Sequence, residues 1–216
     1  MDANIVFIIP SVIYFSQNPL SPDIARSVFS PEERAGQTKQ TIESIRSKIP
    51  TSKIILIEMG LHEILPFNLH ALADRYVYLG NREMVRPAVD STCKGHGEAI
   101  GLVLANKAIR SFQAKYYFKL SGRYYLDENF NINPWLSGGE GFVAKKYNDS
   151  CISTRLYGFS ESFYDTWRIS MKRGIPYLAR SEAMESVIPK VISTIRHMDP
   201  VGVSGILAPH NVGVWE

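Results

Sequence analysis

Lys94, Arg34 and Arg123 have side chains able to hold a phosphate, and each sits beside a helix start or a strand end. Lys94-Gly95-His96-Gly97 precedes a helical pattern. Glycines there would let backbone N–H groups approach an anion, and Lys94 would add positive charge. Ser121-Gly122-Arg123 follows the apolar run Tyr116–Leu120, so it would sit at the carboxyl end of a buried strand, where open α/β sheets bind ligands. The planar fork of an arginine matches phosphate oxygens. Arg34 and Gln37 fall near the start of the first helix, where they could reach a base or a phosphate or form a solvated face. Glu182 and Glu185 are three apart and on a helix would share a face. From the residues alone they suit an acidic helix start near the positive end of the helix dipole.

The elements that position these residues follow from apolar periodicity. Asn4–Ile9 reads as a central strand stopped by Pro10. Ser11–Phe29 is a long loop, of a length that is often functional. Ser30-Pro31-Glu32-Glu33 is a capping box with proline at the first helical position. The helix after it carries Ala35, Thr38, Ile42, Ile45 and Ile49 and ends at Pro50. Lys53–Glu58, Arg75–Leu79 and Tyr116–Leu120 read as further strands, with a helix over 97–112 before the last. The first 130 residues are thus β-α-β-(α)-β-α-β, the pattern of a parallel sheet with helices packed on it. Later come strands at Gly141–Lys145 and Ile152–Leu156, a helix from Ser160 to Gly174, and a second helix from Ser181 broken at Pro189. The segment 201–216 reads as an ordered loop or short strand.

Composition narrows the class. The chain has 216 residues, 45% hydrophobic and 21% charged, ordinary values for a globular protein of one domain. A net charge of +3 with no Lys/Arg run beyond two argues against nucleic-acid binding. Cys93 and Cys151 form neither a disulfide framework nor a zinc motif, and a cytoplasmic setting is the simplest expectation. No apolar run approaches the roughly 20 residues of a membrane span, and the N-terminus reads as a strand, not a signal peptide.

The order of elements, with Lys94-Gly95-His96-Gly97-Glu98, a helix, and then Tyr116–Arg123, resembles the GT-A fold of nucleotide-sugar glycosyltransferases. The compact length is similar to small GT-A domains of large DNA viruses and bacterial polysaccharide clusters. The resemblance implies a single α/β domain over 1–216 with a mostly parallel central sheet and helices on both faces. Residues 1–130 would bind the nucleotide sugar and 131–216 the acceptor. It implies hexosyl or deoxyhexosyl transfer from a UDP-, GDP- or dTDP-sugar to a hydroxyl of a glycan, polysaccharide or glycoprotein. Pro10 and Ser11 would approach the nucleotide, Glu58 the base or ribose, and Lys94, Gly95, Ser121, Gly122 and Arg123 the diphosphate. Glu182 or Glu185 would be the catalytic base. His210, in a tail that folds over the nucleotide in such enzymes, would touch metal or diphosphate.

One departure stands out. If Ser121-Gly122-Arg123 occupies the family's D-x-D position, the carboxylates that hold Mg²⁺ or Mn²⁺ are absent. Either Arg123 offsets the leaving diphosphate directly, or Asp127 or Glu128, with His210, holds a metal in a shifted register. Two other readings remain: a degenerate binding module, and a sugar nucleotidyltransferase, although the latter's glycine-rich basic loop after the first strand is missing. No G-x-G-x-x-G follows that strand, which counts against a dinucleotide-dependent dehydrogenase.

Overall fold

The computed structural model describes residues 4–20, 26–207 and 212–216. Strand β1 (Ile5–Ser11) is buried along its whole length, as β-branched and aromatic residues in a central parallel strand should be. It pairs in parallel with β2 (Lys53–Glu58) on one side and β4 (Tyr116–Leu120) on the other. Strand β3 (Arg75–Tyr78) adds in parallel to β2. β7 (Cys151–Ser160) is antiparallel to β4, β6 (Phe142–Asn148) antiparallel to β7, and β8 (Ile195–His197) parallel to β6. The seven-stranded order is β3-β2-β1-β4-β7-β6-β8, so only β7 runs against the rest.

Pro10 does not stop β1, contrary to the sequence expectation; it pairs with Ile57 inside the strand. Its carbonyl accepts from Gly122 N on the β4 side, and a strand residue's N–H and C=O point the same way. The absent N–H therefore faces the side where the β4 ladder has already ended at Ile8–Lys119, and no ladder bond is lost.

Helices cover both faces. Helix α1 (Pro31–Lys48) starts with the expected capping box, Ser30 Oγ accepting from Glu33 N and Glu33 Oε2 from Ser30 N. It packs with Ile42 and Ile45 on one core, together with the short α2 (Leu69–Leu72) and the later α6 (Asn133–Ser137). The opposite core lies under α3 (Val85–Val89), α4 (Lys94–Leu104), α5 (Asn106–Arg110), α7 (Tyr164–Leu178) and α8 (Met184–Val191). Beyond β4, β5 (Tyr124–Leu126), β9 (Val203–Leu207) and β10 (Val212–Trp215) form a second, antiparallel sheet.

Several boundaries differ from the sequence expectation. Helix α4 begins at Lys94, so Gly95 and Gly97 are helical and not an entry loop. They are needed for close packing: a Cβ on Gly97 would come within 2.7 Å of Val89, and one on Gly95 within 3.1 Å of Met184. Helix α7 runs past Gly174 to Leu178. Helix α8 starts only at Met184 and continues through Pro189, where a proline in the last turn removes a single helical bond. Glu182 therefore lies outside α8, and the shared helical face expected for Glu182 and Glu185 does not form.

Candidate functional site

The carboxyl ends of β1 and β4 open into a cleft of about 760 Å³, its mouth included. That is the place expected of a ligand site in an open α/β sheet. Pro10 and Ser11 at the end of β1, Arg34 and Thr38 on α1, Lys94 and Glu98 on α4, and Ser121, Gly122 and Arg123 after β4 all contribute to its lining.

Local chemistry holds the turn after β4 in place. Thr38, Thr41 and Ser44, one per turn of α1, form a polar stripe that stitches onto the backbone beyond β4. Thr38 Oγ1 donates to Gly122 O at 2.8 Å, Thr41 Oγ1 donates to Tyr124 O at 2.7 Å, and Ser44 Oγ accepts from Leu126 N at 3.0 Å. Gly122 sits so close that a Cβ would meet Thr38 Oγ1 at 3.1 Å and Ile9 at 3.2 Å. A larger residue there would push the turn off the helix, and Arg123 with it.

The cleft is cationic. Among the described residues its lining includes Arg26, Arg34, Lys94 and Arg123 against one carboxylate, Glu98. Arg34 Nε and Arg123 Nη1 are buried without a hydrogen-bond partner among the described residues. Burial first, and then the nearby Arg123, lower the pKa of Arg34 to about 9, against the attraction of Glu58. Two like charges short of counter-charge, with buried N–H groups to spare, have the chemistry to accept an anion.

Glu58 is fully buried, and its Oε1 accepts from Ile13 N at 2.9 Å and Gly60 N at 2.7 Å. Burial raises its pKa, against those two N–H groups, the Ser11 hydroxyl and Arg34. Glu58 does not line the cleft; it ties down the loop after β1, whose Val12, Ile13 and Phe15 form one wall.

Other candidates lie elsewhere. Gly95 faces Met184 and Leu178, away from the cleft. Glu182 pairs with Lys190, and Glu185 accepts from Thr154 Oγ1 at 2.7 Å. Asp127 is buried at the end of β5, its two oxygens taken by Asn129 N at 2.9 Å and Ser204 Oγ at 2.5 Å. Glu128 is exposed and outside the cleft lining. His210 lies outside the described residues. No group of three His, Cys, Asp or Glu side chains able to hold a metal occurs among the described residues. One carboxylate in the cleft, itself against a lysine, does not fit the hard oxygen ligation of Mg²⁺ or Mn²⁺.

The structure adds residues that sequence reasoning missed. Arg26 is buried and donates to Asn18 O at 2.6 Å, Val89 O at 2.7 Å, and Asp90 O and Ser91 O at 2.5 Å each. It clamps the loop after β1 to the end of α3. Lys119, inside β4, contacts Glu98 Oε1 at 2.6 Å. A lysine within the apolar run YYFKL, and a glutamate four residues after Lys94, were the signals available.

No protein-family model matches the sequence, and no curated protein matches it. Similar solved structures include the crystal structure of a glycosyltransferase involved in the glycosylation of the major capsid of PBCV-1. It is 13% identical with a TM-score of 0.47, over 91% of this chain and 82% of that one. Likeness at that distance says nothing about which residues act. Among the described residues, no helix is long and apolar enough to cross a membrane.

Proposed function

We propose that the cleft binds a nucleotide sugar and that the protein transfers its glycosyl group to a hydroxyl acceptor. The observation that carries this reading is the pair Arg34 and Arg123, which line the cleft at the carboxyl ends of β1 and β4, each with a buried N–H group lacking a partner among the described residues. A diphosphate would accept from both guanidinium groups and from Ser11 or Ser121, with Lys94 adding positive charge. When the acceptor oxygen attacks the anomeric carbon, the bond to the diphosphate oxygen breaks, negative charge grows on that oxygen, and the hydroxyl's proton passes to the departing diphosphate or to water. Preorganised cations aimed at developing charge are a major source of rate enhancement. In this reading arginine does the work given to a divalent metal by the D-x-D motif, and transfer runs without one. The same reading leaves Glu182, Glu185 and Asp127 outside the chemistry, since their carboxylates are engaged away from the cleft.

Donor hydrolysis across UDP-, GDP- and dTDP-sugars, each with Mn²⁺ and with EDTA, tests the reading. Turnover of one donor in EDTA is the expected result. Turnover only with Mn²⁺ would refute the metal-free mechanism and return attention to Asp127, Glu128 and His210. Binding of a nucleotide sugar without turnover, even with acceptors supplied, would make the protein a binding module. Absence of binding to every donor would end the nucleotide-sugar reading.

A further inference from the structure

Lys119 sits in the middle of the sheet, registered with Ile8 of β1 and Tyr157 of β7, and is 0% exposed. A buried ammonium is costly unless paired and hydrogen-bonded. Lys119 Nζ donates to Ser121 Oγ at 2.7 Å and Thr154 O at 2.7 Å, and lies 2.6 Å from Glu98 Oε1. The Glu98 contact is off-line: that oxygen has no aligned hydrogen bond among the described residues although it is buried. Well-packed apolar residues often replace such a pair without loss of stability, so the pair is weak evidence of a purely structural role. Glu98 and Ser121, the side chains whose oxygens lie against Lys119 Nζ, both line the cleft.

We propose that Glu98, held by Lys119, is the specificity-determining carboxylate of the cleft and accepts hydrogen bonds from the hydroxyls of a neutral glycosyl group. This rests on the nucleotide-sugar reading above. A lone carboxylate beside Arg34 and Arg123 would repel the diphosphate those arginines attract. Pairing with Lys119 makes Glu98 part of a net-neutral unit, while its remaining lone pairs stay available to O–H donors. Lys94, Gly97 and Glu98 share one face of α4 and all three line the cleft with Arg34 and Arg123. The ligand class is a nucleoside diphosphate carrying an uncharged polyhydroxyl group, rather than one carrying a second anion.

The test compares affinities of UDP, GDP and dTDP with those of UDP-glucose, GDP-mannose and dTDP-glucose, by calorimetry, in wild type, Glu98→Ala and Glu98→Gln. In Glu98→Ala the sugar nucleotide should bind roughly tenfold more weakly, the scale of one lost hydrogen bond to a charged group. The bare nucleoside diphosphate should bind as well or better, because the charge of Lys119 is then unopposed. Opposite movement of the two ligands is a result that a merely structural role would not produce. Glu98→Gln keeps the side chain's shape, decides the matter should the alanine variant not fold, and should lower the sugar-to-diphosphate affinity ratio in the same direction. An unchanged ratio in the folded variants, or equal weakening of both ligands, overturns the proposal while the nucleotide-sugar reading stands. A wild type that binds neither ligand overturns both.

Discussion

Arg123 and Arg155 both lie over the ring of Tyr124, at 5.8 and 5.5 Å, yet they are in opposite electrostatic states. Arg155, in β7, is closed. It pairs with the Glu216 carboxylate and donates to Tyr147 Oη at 2.7 Å, while Glu216 also accepts from Ser153 Oγ at 2.6 Å. Burial alone would lower its pKa, but Glu216 and Tyr124 raise it above the ordinary value. Its Nε is left over, but its charge is met. Arg123 has a buried Nη1 with no partner among the described residues, and its charge helps lower the pKa of Arg34. The same residue type in similar burial thus does two jobs. An arginine answered by a carboxylate of its own chain fastens the second sheet to the first. Under the proposed function, one left unanswered at a cleft would meet an anion from outside.

The largest test of this contrast is Arg123→Ala. Donor turnover should fall by roughly 10²–10³-fold, the scale for losing one preorganised donor at a developing charge. Thermal unfolding should hold or rise, because Arg34 loses a like-charged neighbour. A variant that melts well below wild type would make Arg123 a structural residue and break the contrast. Glu216→Ala is the mirror experiment: it strands Arg155 and should cost about 3 kcal/mol of stability by chemical denaturation, with nucleotide affinity of the folded protein preserved.

Thr38→Val sharpens the contrast by loosening the turn that carries Arg123. Gly122 O loses its 2.8 Å hydrogen bond, and stability should fall by about 1–2 kcal/mol. Nucleoside diphosphate affinity should fall with it, and unchanged affinity would show that the turn is held by other means.

The smallest effect concerns Glu58, whose carboxyl is raised above its ordinary 4.5, chiefly by burial. Between those two values the folded protein holds more protons than the unfolded chain, so stability should decline as pH rises through that window. Glu58→Gln should remove the decline while keeping an acceptor for Ile13 N and Gly60 N. Parallel stability–pH curves from denaturant titrations of the two proteins would refute this account.

Much of the frame was legible in the sequence because it rests on local chemistry. Ser30 with Glu33 announced the start of α1 through reciprocal backbone bonds, and the fully apolar Ile5–Ile9 announced a strand buried on both faces. Arg34, Lys94, Ser121, Gly122 and Arg123 were all singled out, and all line the cleft. Gly95, Glu182, Glu185 and Asp127 were singled out on the same grounds and lie elsewhere. What separates the two groups is which way a side chain points and what it meets, and neither is a local property. Thr38 read as one apolar-face position of a helix, yet its hydroxyl holds a turn 84 residues away.

By itself the sequence determined the alternation of strands and helices, the parallel sheet core and the presence of cations near strand and helix ends. Periodicity and capping encode these within a few residues. Only the tertiary structure decided which cations are answered. Arg155 finds Glu216, 61 residues on, and Lys119 finds Glu98 across the space between sheet and helix. Arg34 and Arg123 converge on one cleft with buried N–H groups that nothing among the described residues accepts from. Charge pairing depends on distance and burial, and both are set only when the sheet closes against its helices.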